Sequence, residues 1–271
     1  MMDYRRSIAF IGGGNMAEAL AVGITRARIL PAESILVSEP MPERCTQLQQ
    51  QHGFTTTDKN IQAAVAGGTI FLAVKPQVLP EVLQEIGPSI GTEQLVISIA
   101  AGITLELLEK SLPGVSVIRS MPNTPSLVGS GATVISPGQN IYADMTHWAV
   151  ELFQAVGTCH ILPEDLMNSV TGLSGSGPAY IFRMAEALIE AGMAVGIPAE
   201  ESAGLVKQTI MGAARMMMET EKSPTELREM VTSPGGTTQA GLAELDEAGF
   251  SEIVVDAVMS ATDRAKELGR K

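Results

Sequence analysis

Ser7-Ile8-Ala9-Phe10-Ile11-Gly12-Gly13-Gly14-Asn15-Met16-Ala17 is the stretch on which the reading of this chain turns. The apolar run from Ile8 to Ile11 has the character of a buried strand, and glycines follow it at once. Met16, Leu20 and Ile24, with Ala17, Ala19, Ala21 and Val22 between them, then predict a helix packed closely on something. Strand, glycine turn and helix in this order put the pyrophosphate of a dinucleotide at the helix N-terminus, where free N–H groups and a partial positive charge favour an anion. The spacing is Gly12-x-Gly14-x-x-Ala17, the Ala-ended form of the dinucleotide fingerprint. Gly12 permits the tight turn, Gly14 lets the backbone approach the phosphates, and Ala17 keeps the helix close to the strand.

The rest of the composition is compatible with that reading and narrows it. A chain of 271 residues has room for two domains of ordinary size. Apolar residues make up 45% and aromatics only 4%, so small and aliphatic side chains must fill the interior. A net charge of −12 argues against nucleic acid and against an anionic membrane surface as partners. An anionic substrate would need a local site of backbone amides or a single Lys or Arg. Cys45 and Cys159 have no pairing pattern, which fits a reducing, cytoplasmic setting, and the three His and two Cys show no metal-ligand spacing. The apolar run behind Arg5 and Arg6 is too short for a signal peptide, and no stretch is long enough for a membrane span.

Further strands are predicted at Ser34–Ser38, Phe54–Thr56, Thr69–Val74, Leu95–Ile99, Val115–Arg119, Gly131–Ser136 and Thr158–Leu162, with helical crossovers between most of them. Unbroken apolar runs such as Thr69–Val74 suit a parallel sheet covered on both faces, and the alternation is that of a doubly wound sheet reaching about Pro163. Glu39 ends the second strand, where an acidic residue accepts hydrogen bonds from the adenine ribose and disfavours a 2′-phosphate. Arg44 would pull the other way by pairing with that phosphate. Both could equally be solvated turn residues. Lys75-Pro76 lies at the carboxyl end of the Thr69 strand, the end at which ligands bind in open parallel sheets, so Lys75 is either a rim residue or simply solvated. The small residues Ala100-Ala101-Gly102 allow something flat to lie against the backbone at the next strand end.

From Glu164 the strand signals stop. A helix is expected over Asp165–Leu173, broken by Ser174-Gly175-Ser176-Gly177-Pro178. Ala179–Val195 is apolar nearly all round, as in helices buried within a bundle or interface. Pro198 opens a helix to Met218, and Ser223-Pro224-Thr225-Glu226 carries three helix-start signals. This half has more apolar surface than one small bundle needs, and an obligate dimer is the simplest outlet. The Met216-Met217-Met218 run suits core or interface packing better than a ligand cleft. Thr232-Ser233-Pro234-Gly235-Gly236-Thr237-Thr238 leads into a helix whose unpaired N–H groups form an anion pocket, with the hydroxyls of Thr232, Ser233 and Thr238 nearby. A small carboxylate would fit there; the plainer alternative is a capped helix with a flexible entrance.

At this point the chain resembles a known family. Pro224-x-x-Leu227-x-x-x-Val231-Thr232-Ser233-Pro234-Gly235-Gly236-x-Thr238-x-x-Gly241-Leu242-x-x-Leu245-Asp246 is similar to the signature of pyrroline-5-carboxylate reductases. Phe10–Met16, Ala73–Pro76, Ala100–Thr104, Met121–Pro125 and Gly172–Tyr180 agree with the family in the same order. The resemblance implies hydride transfer from a reduced nicotinamide to the C=N carbon of 1-pyrroline-5-carboxylate, giving L-proline. It implies a Rossmann-type domain over residues 1–163 and an all-helical substrate-binding and dimerisation domain over 164–271. It also implies a homodimer that family members often build into decamers.

By the same resemblance the cofactor, NADPH or NADH, is held by Ile11, Gly12, Gly14, Asn15, Met16, Ser38, Glu39, Asn60, Ala73, Val74, Lys75, Pro76, Ala100, Ala101 and Gly102. Ser233 and the backbone of Gly236, Thr237 and Thr238 hold the substrate carboxylate. Thr238 bonds the ring nitrogen as an orienting rather than a strictly acid–base group. One departure matters: many family members have Ser or Thr where this chain has Glu39, which leans the expectation slightly to NADH. The alternatives are a 3-hydroxy acid dehydrogenase, weakened because no Gly-Gly-x-Lys-like context surrounds Lys207 of the long C-terminal helices, and a non-catalytic redox sensor.

Overall fold

The computed structural model describes residues 4–269, so the outermost residues of the two expected domains lie outside the described part. The chain forms two compact units, one running to Ser176 and taking in the segment from Ser260 onward, the other covering Gly177–Met259. The expected boundary after Pro163 falls inside the first unit.

The first unit is built on one eight-stranded sheet in the order β3-β2-β1-β4-β5-β6-β7-β8. Its strands are β1 (Ile8–Ile11), β2 (Ile35–Ser38), β3 (Thr55–Thr57), β4 (Thr69–Leu72), β5 (Leu95–Ser98), β6 (Ser116–Met121), β7 (Gly131–Pro137) and β8 (Gly157–Ile161). Between them lie α1 (Asn15–Arg26), α2 (Pro42–His52), α3 (Asn60–Ala66), α4 (Leu79–Ile86), α5 (Leu105–Ser111) and α6 (Ala143–Gln154). Strand order reverses beside β1, which pairs with β2 on one side and β4 on the other. That is the switch point at which doubly wound folds bind ligands.

The strands are apolar throughout because both faces are covered. Ile8, Phe10, Phe71, Leu95 and Ile97 point into one core with Leu20 and Ile24 of α1, Leu48 of α2 and Trp148, Leu152 and Phe153 of α6. Ala9, Ile11, Ile70, Leu72 and Val96 point the opposite way, against Ala63, Leu79, Leu83 and Leu108. The period-two alternation of a strand therefore sorts an unbroken apolar run into two cores. The few aromatics concentrate in the first core. Phe10 and Phe71 stack with ring centres 4.8 Å apart, and Phe153 meets Phe71 edge-on at 5.9 Å.

The doubly wound sheet carries one antiparallel pair, β6 with β7. Only Pro122–Ser130 joins these strands, too short for a parallel crossover of a dozen residues or more. The break expected at Ser174–Pro178 is narrower. α7 (Met167–Val170) runs into a widened turn over Thr171–Gly175, in which Ser176 N–H reaches back five residues to the Thr171 carbonyl at 2.8 Å.

The second unit contains α8 (Gly177–Ala194), α9 (Ala199–Glu219), α10 (Pro224–Met230) and α11 (Thr237–Glu247). α12 (Phe250–Leu268) begins in this unit and ends in the first. The three start signals at Ser223 form a complete capping box: Ser223 Oγ accepts from Glu226 N–H while Glu226 takes the Ser223 N–H. α8 and α9 approach closely at Gly192, whose missing side chain leaves room for Ser202 Oγ. α8 nonetheless buries no residue within the single chain. Ile181, Phe182, Met184, Leu188 and Met193 on α8, and Ile253, Val255 and Met259 on α12, are exposed.

Phe71 joins the aromatic cluster in the middle of the sheet. Phe71→Ala should cost about 3–5 kcal/mol of unfolding free energy, read from urea denaturation at fixed protein concentration.

Candidate active site

The glycine turn is held from three sides. Gly12 N–H donates to the Ser38 carbonyl at 2.8 Å, and Gly12 has a left-handed φ of 103°. A Cβ there would lie 2.8 Å from the Ala73 carbonyl oxygen, so no other residue fits without displacing the end of β4. Gly14 is different. Its φ of −69° is ordinary, and a Cβ built on it would meet nothing within 4 Å. Gly14 is exposed and forms the N-terminal boundary of α1, and no side chain caps that helix end. An open approach over Gly14, with the first-turn N–H groups of Asn15, Met16 and Ala17 behind it, is a donor set suited to a pyrophosphate.

Gly13, between them, is buried and used at both ends. Its N–H donates to Glu39 Oε2 at 2.9 Å, and its carbonyl accepts from Arg44 Nε at 2.8 Å. Glu39 Oε1 accepts the Met41 N–H at 3.1 Å. Arg44 also donates to Glu18 Oε2 at 2.7 Å, and the second Glu18 oxygen pairs with His52 Nε2 at 2.7 Å. Burial pushes the Glu18 carboxyl up, but hydrogen bonds from Arg44 and His52 outweigh it and hold the group below its ordinary value. Glu39 and Arg44 are thus parts of the turn's own structure rather than free solvated groups.

The remaining cofactor candidates gather along the same sheet edge. Ser38 Oγ donates to Asn60 Oδ1 at 2.8 Å, and Asn60 Nδ2 donates to Glu85 Oε2 at 2.8 Å. Ala73 N–H bonds the Ile11 carbonyl at 2.9 Å, which sets Ala73-Val74-Lys75-Pro76 beside the glycine turn. Lys75 is exposed, and its carbonyl accepts Val78 N–H in the turn before α4. Ala100, Ala101 and Gly102 follow β5, with Gly102 at φ 78°. A Cβ on Gly102 would lie 3.3 Å from Gly269 N, so the end of α12 packs against this turn.

Ser233, Gly236, Thr237 and Thr238 belong to the second unit. Gly235 takes φ 70°, and its N–H donates to the Gln239 side chain at 2.6 Å. Gly236 bounds α11, which has no side-chain cap, and a side chain on Gly236 would collide with Ser233 Oγ. Thr237 and Thr238 therefore open the helix with unclaimed N–H groups. Thr232 leaves the expected set of pocket hydroxyls, because its Oγ1 donates to the Arg228 carbonyl at 2.7 Å.

Several supporting residues were not singled out from sequence. Arg119, buried on β6, donates to Glu164 Oε1 at 3.0 Å, and that oxygen also accepts Leu105 N–H at 2.6 Å. The pair pins the start of α5, just beyond Ala100–Gly102. Asn123 donates to the Ser174 carbonyl at 3.0 Å and accepts Ala132 N–H at 2.9 Å, tying the loop after β6 to the widened turn. Partners 45 and 51 positions apart leave no local signal. Glu18 had one, as an acidic residue in the first turn of α1. The described residues hold no His, Cys, Asp or Glu cluster able to bind a metal ion.

A pyrroline-5-carboxylate reductase of Synechocystis is 41% identical over 97% of this chain and 98% of its own length. The chain belongs to the pyrroline-5-carboxylate reductase family. The family model for pyrroline-5-carboxylate reductase dimerisation matches residues 164–268, and a model of F420-dependent NADP oxidoreductases matches residues 7–102. The solved Coxiella burnetii pyrroline-5-carboxylate reductase superposes with a TM-score of 0.93 at 38% identity, covering 98% of this chain and all of that one. A Plasmodium falciparum pyrroline carboxylate reductase, solved with NADP bound, gives 0.88 at 31% identity over 98% of this chain and 99% of its own. The Rossmann-type unit followed by a helical dimerisation segment is thus the family's architecture, and an NAD(P)H-dependent oxidoreductase is what the sheet and glycine turn serve.

The two glycines separate fold from ligand. Gly12→Ala should destabilise the protein by about 1–3 kcal/mol. Gly14→Ala should leave the melting temperature nearly unchanged while weakening dinucleotide binding, as measured by calorimetry.

Proposed function

We propose that this protein reduces 1-pyrroline-5-carboxylate to L-proline, with Ser233, Gly236, Thr237 and Thr238 as its substrate site. The observation that carries the reading is the near-full-length 41% identity, supported by the glycine-led, uncapped N-terminus of α11. A hydroxy-acid dehydrogenase and a non-catalytic sensor are not favoured by that membership. When bound, the reduced nicotinamide supplies the hydride that the C=N carbon receives.

The chain's own residues then have three tasks. The first-turn N–H groups of α11 and Ser233 Oγ hold the carboxylate, as helix N-termini hold anions. The Thr238 hydroxyl orients the ring nitrogen; a protonated imine is already a strong electrophile, and a Thr hydroxyl is a poor acid, so orientation outweighs acid catalysis here. Ile11, Gly12, Gly14, Asn15 and Met16 hold the pyrophosphate, Ser38, Glu39 and Asn60 the adenosine end, and Ala73–Pro76 with Ala100–Gly102 the nicotinamide side.

We further propose NADH as the preferred cofactor. Glu39 presents a carboxylate where the adenine ribose is expected, and Arg44 is tied to Gly13 and Glu18. The exposed apolar residues of α8, α9 and α12 favour a homodimer through 164–271, open to further assembly into a decamer. The free thiols favour a reducing cytoplasm; burial pushes the Cys159 thiol up to about 12, which keeps it protonated and inert.

Thr238→Ala should lower kcat by about tenfold to a hundredfold with the KM for the cofactor nearly unchanged, and Thr238→Ser should restore most of the loss; wild-type kinetics in Thr238→Ala would overturn the assignment. Steady-state kinetics with both cofactors should give the higher kcat/KM for NADH.

A further inference from the structure

We propose that Glu18 is a specificity-determining residue for the cofactor, acting by withholding Arg44 from a 2′-phosphate. This inference rests on the NADH preference given above. Arg44 stands on α2 beside the glycine turn, the place from which a guanidinium would recognise the phosphate that distinguishes NADPH from NADH. All its nitrogens are engaged: Nε donates to the Gly13 carbonyl at 2.8 Å, Nη2 to Glu18 Oε2 at 2.7 Å, and Nη1 to Gln47 Oε1 at 2.8 Å. Its side chain is 16% exposed and that of Glu18 21%.

Of these partners only Glu18 is charged. The Gly13 carbonyl and Gln47 position the guanidinium, whereas Glu18 positions it and cancels its charge. Glu18 is itself fixed from behind, because its other oxygen pairs with His52 at the end of α2. Releasing Arg44 would therefore strand a partly buried carboxylate with a single remaining partner, which is unfavourable. Meanwhile the Glu39 side chain is fixed on the Gly13 and Met41 N–H groups. A phosphate arriving at this turn meets the Glu39 carboxylate and a guanidinium whose charge is already paired with Glu18. Glu39 supplies the repulsion, and Glu18 removes the attraction that would offset it.

Glu18→Gln keeps the shape and removes the charge, leaving Arg44 with neutral partners only. The test is calorimetric binding of adenosine 2′,5′-bisphosphate and of adenosine 5′-monophosphate to the purified protein. Expected for Glu18→Gln is a tightening of about tenfold for the bisphosphate, no comparable change for the monophosphate, and a gain that shrinks at high salt. In an Arg44→Gln background the same substitution should give no gain. In steady-state assays the kcat/KM ratio of NADPH over NADH should rise through KM, with kcat for NADH retained. Glu18→Ala, checked by its melting temperature, serves should Glu18→Gln not fold. An unchanged bisphosphate affinity, a gain that persists without Arg44, or an equal gain for both nucleotides would overturn the proposal. The preference reading is judged separately, on the wild-type protein: tighter bisphosphate binding there would sink it, while the response to Glu18→Gln would still decide the role of Glu18.

Discussion

The turn at Gly12 is the constraint on which the dinucleotide unit depends. Its left-handed backbone and the approach of Ala73 leave no space for a side chain. That single tight passage lets β1 end against β2 and β4 and lets α1 start directly above the sheet. The consequence is chemical as well as geometric. The first N–H groups of α1 are presented at the carboxyl edge of the sheet, without a capping side chain, at the point where strand order reverses.

The next residue shows how charge is managed around this turn. The Gly13 peptide donates to an acid and accepts from a base, and each of those side chains reaches further partners. Such a network rigidifies the turn because Glu39, Arg44 and Glu18 are each held by at least two hydrogen bonds. It also ties Arg44 to Glu18 and, through Glu18, to His52.

The helical unit obeys a different rule. α8 and α9 are long and rich in large apolar residues, yet one chain buries almost none of them. A helix that is apolar nearly all round needs cover on all sides, and the match of residues 164–268 to a dimerisation model accords with cover gained by association. The fold is thus completed in two ways: the sheet closes both its cores within the chain, and the helices leave theirs to be closed by association.

The sequence by itself determined the strand–turn–helix opening, nearly every element of the sheet, the change to helices after Pro163, and the glycine-led start of α11, because each rests on local periodicity, caps or glycine spacing. It also carried the family, through ordered motifs such as Val231–Thr238. Only the tertiary structure decided the antiparallel β6–β7 pair, the engagement of Arg44 by Glu18, the Arg119–Glu164 anchor at α5, and the loss of Thr232 from the pocket hydroxyls. The physical reason is range. A hydrogen bond between Arg119 and Glu164 links residues 45 positions apart; such pairing follows from how strands and helices are stacked, and no short-range pattern of residue types encodes it.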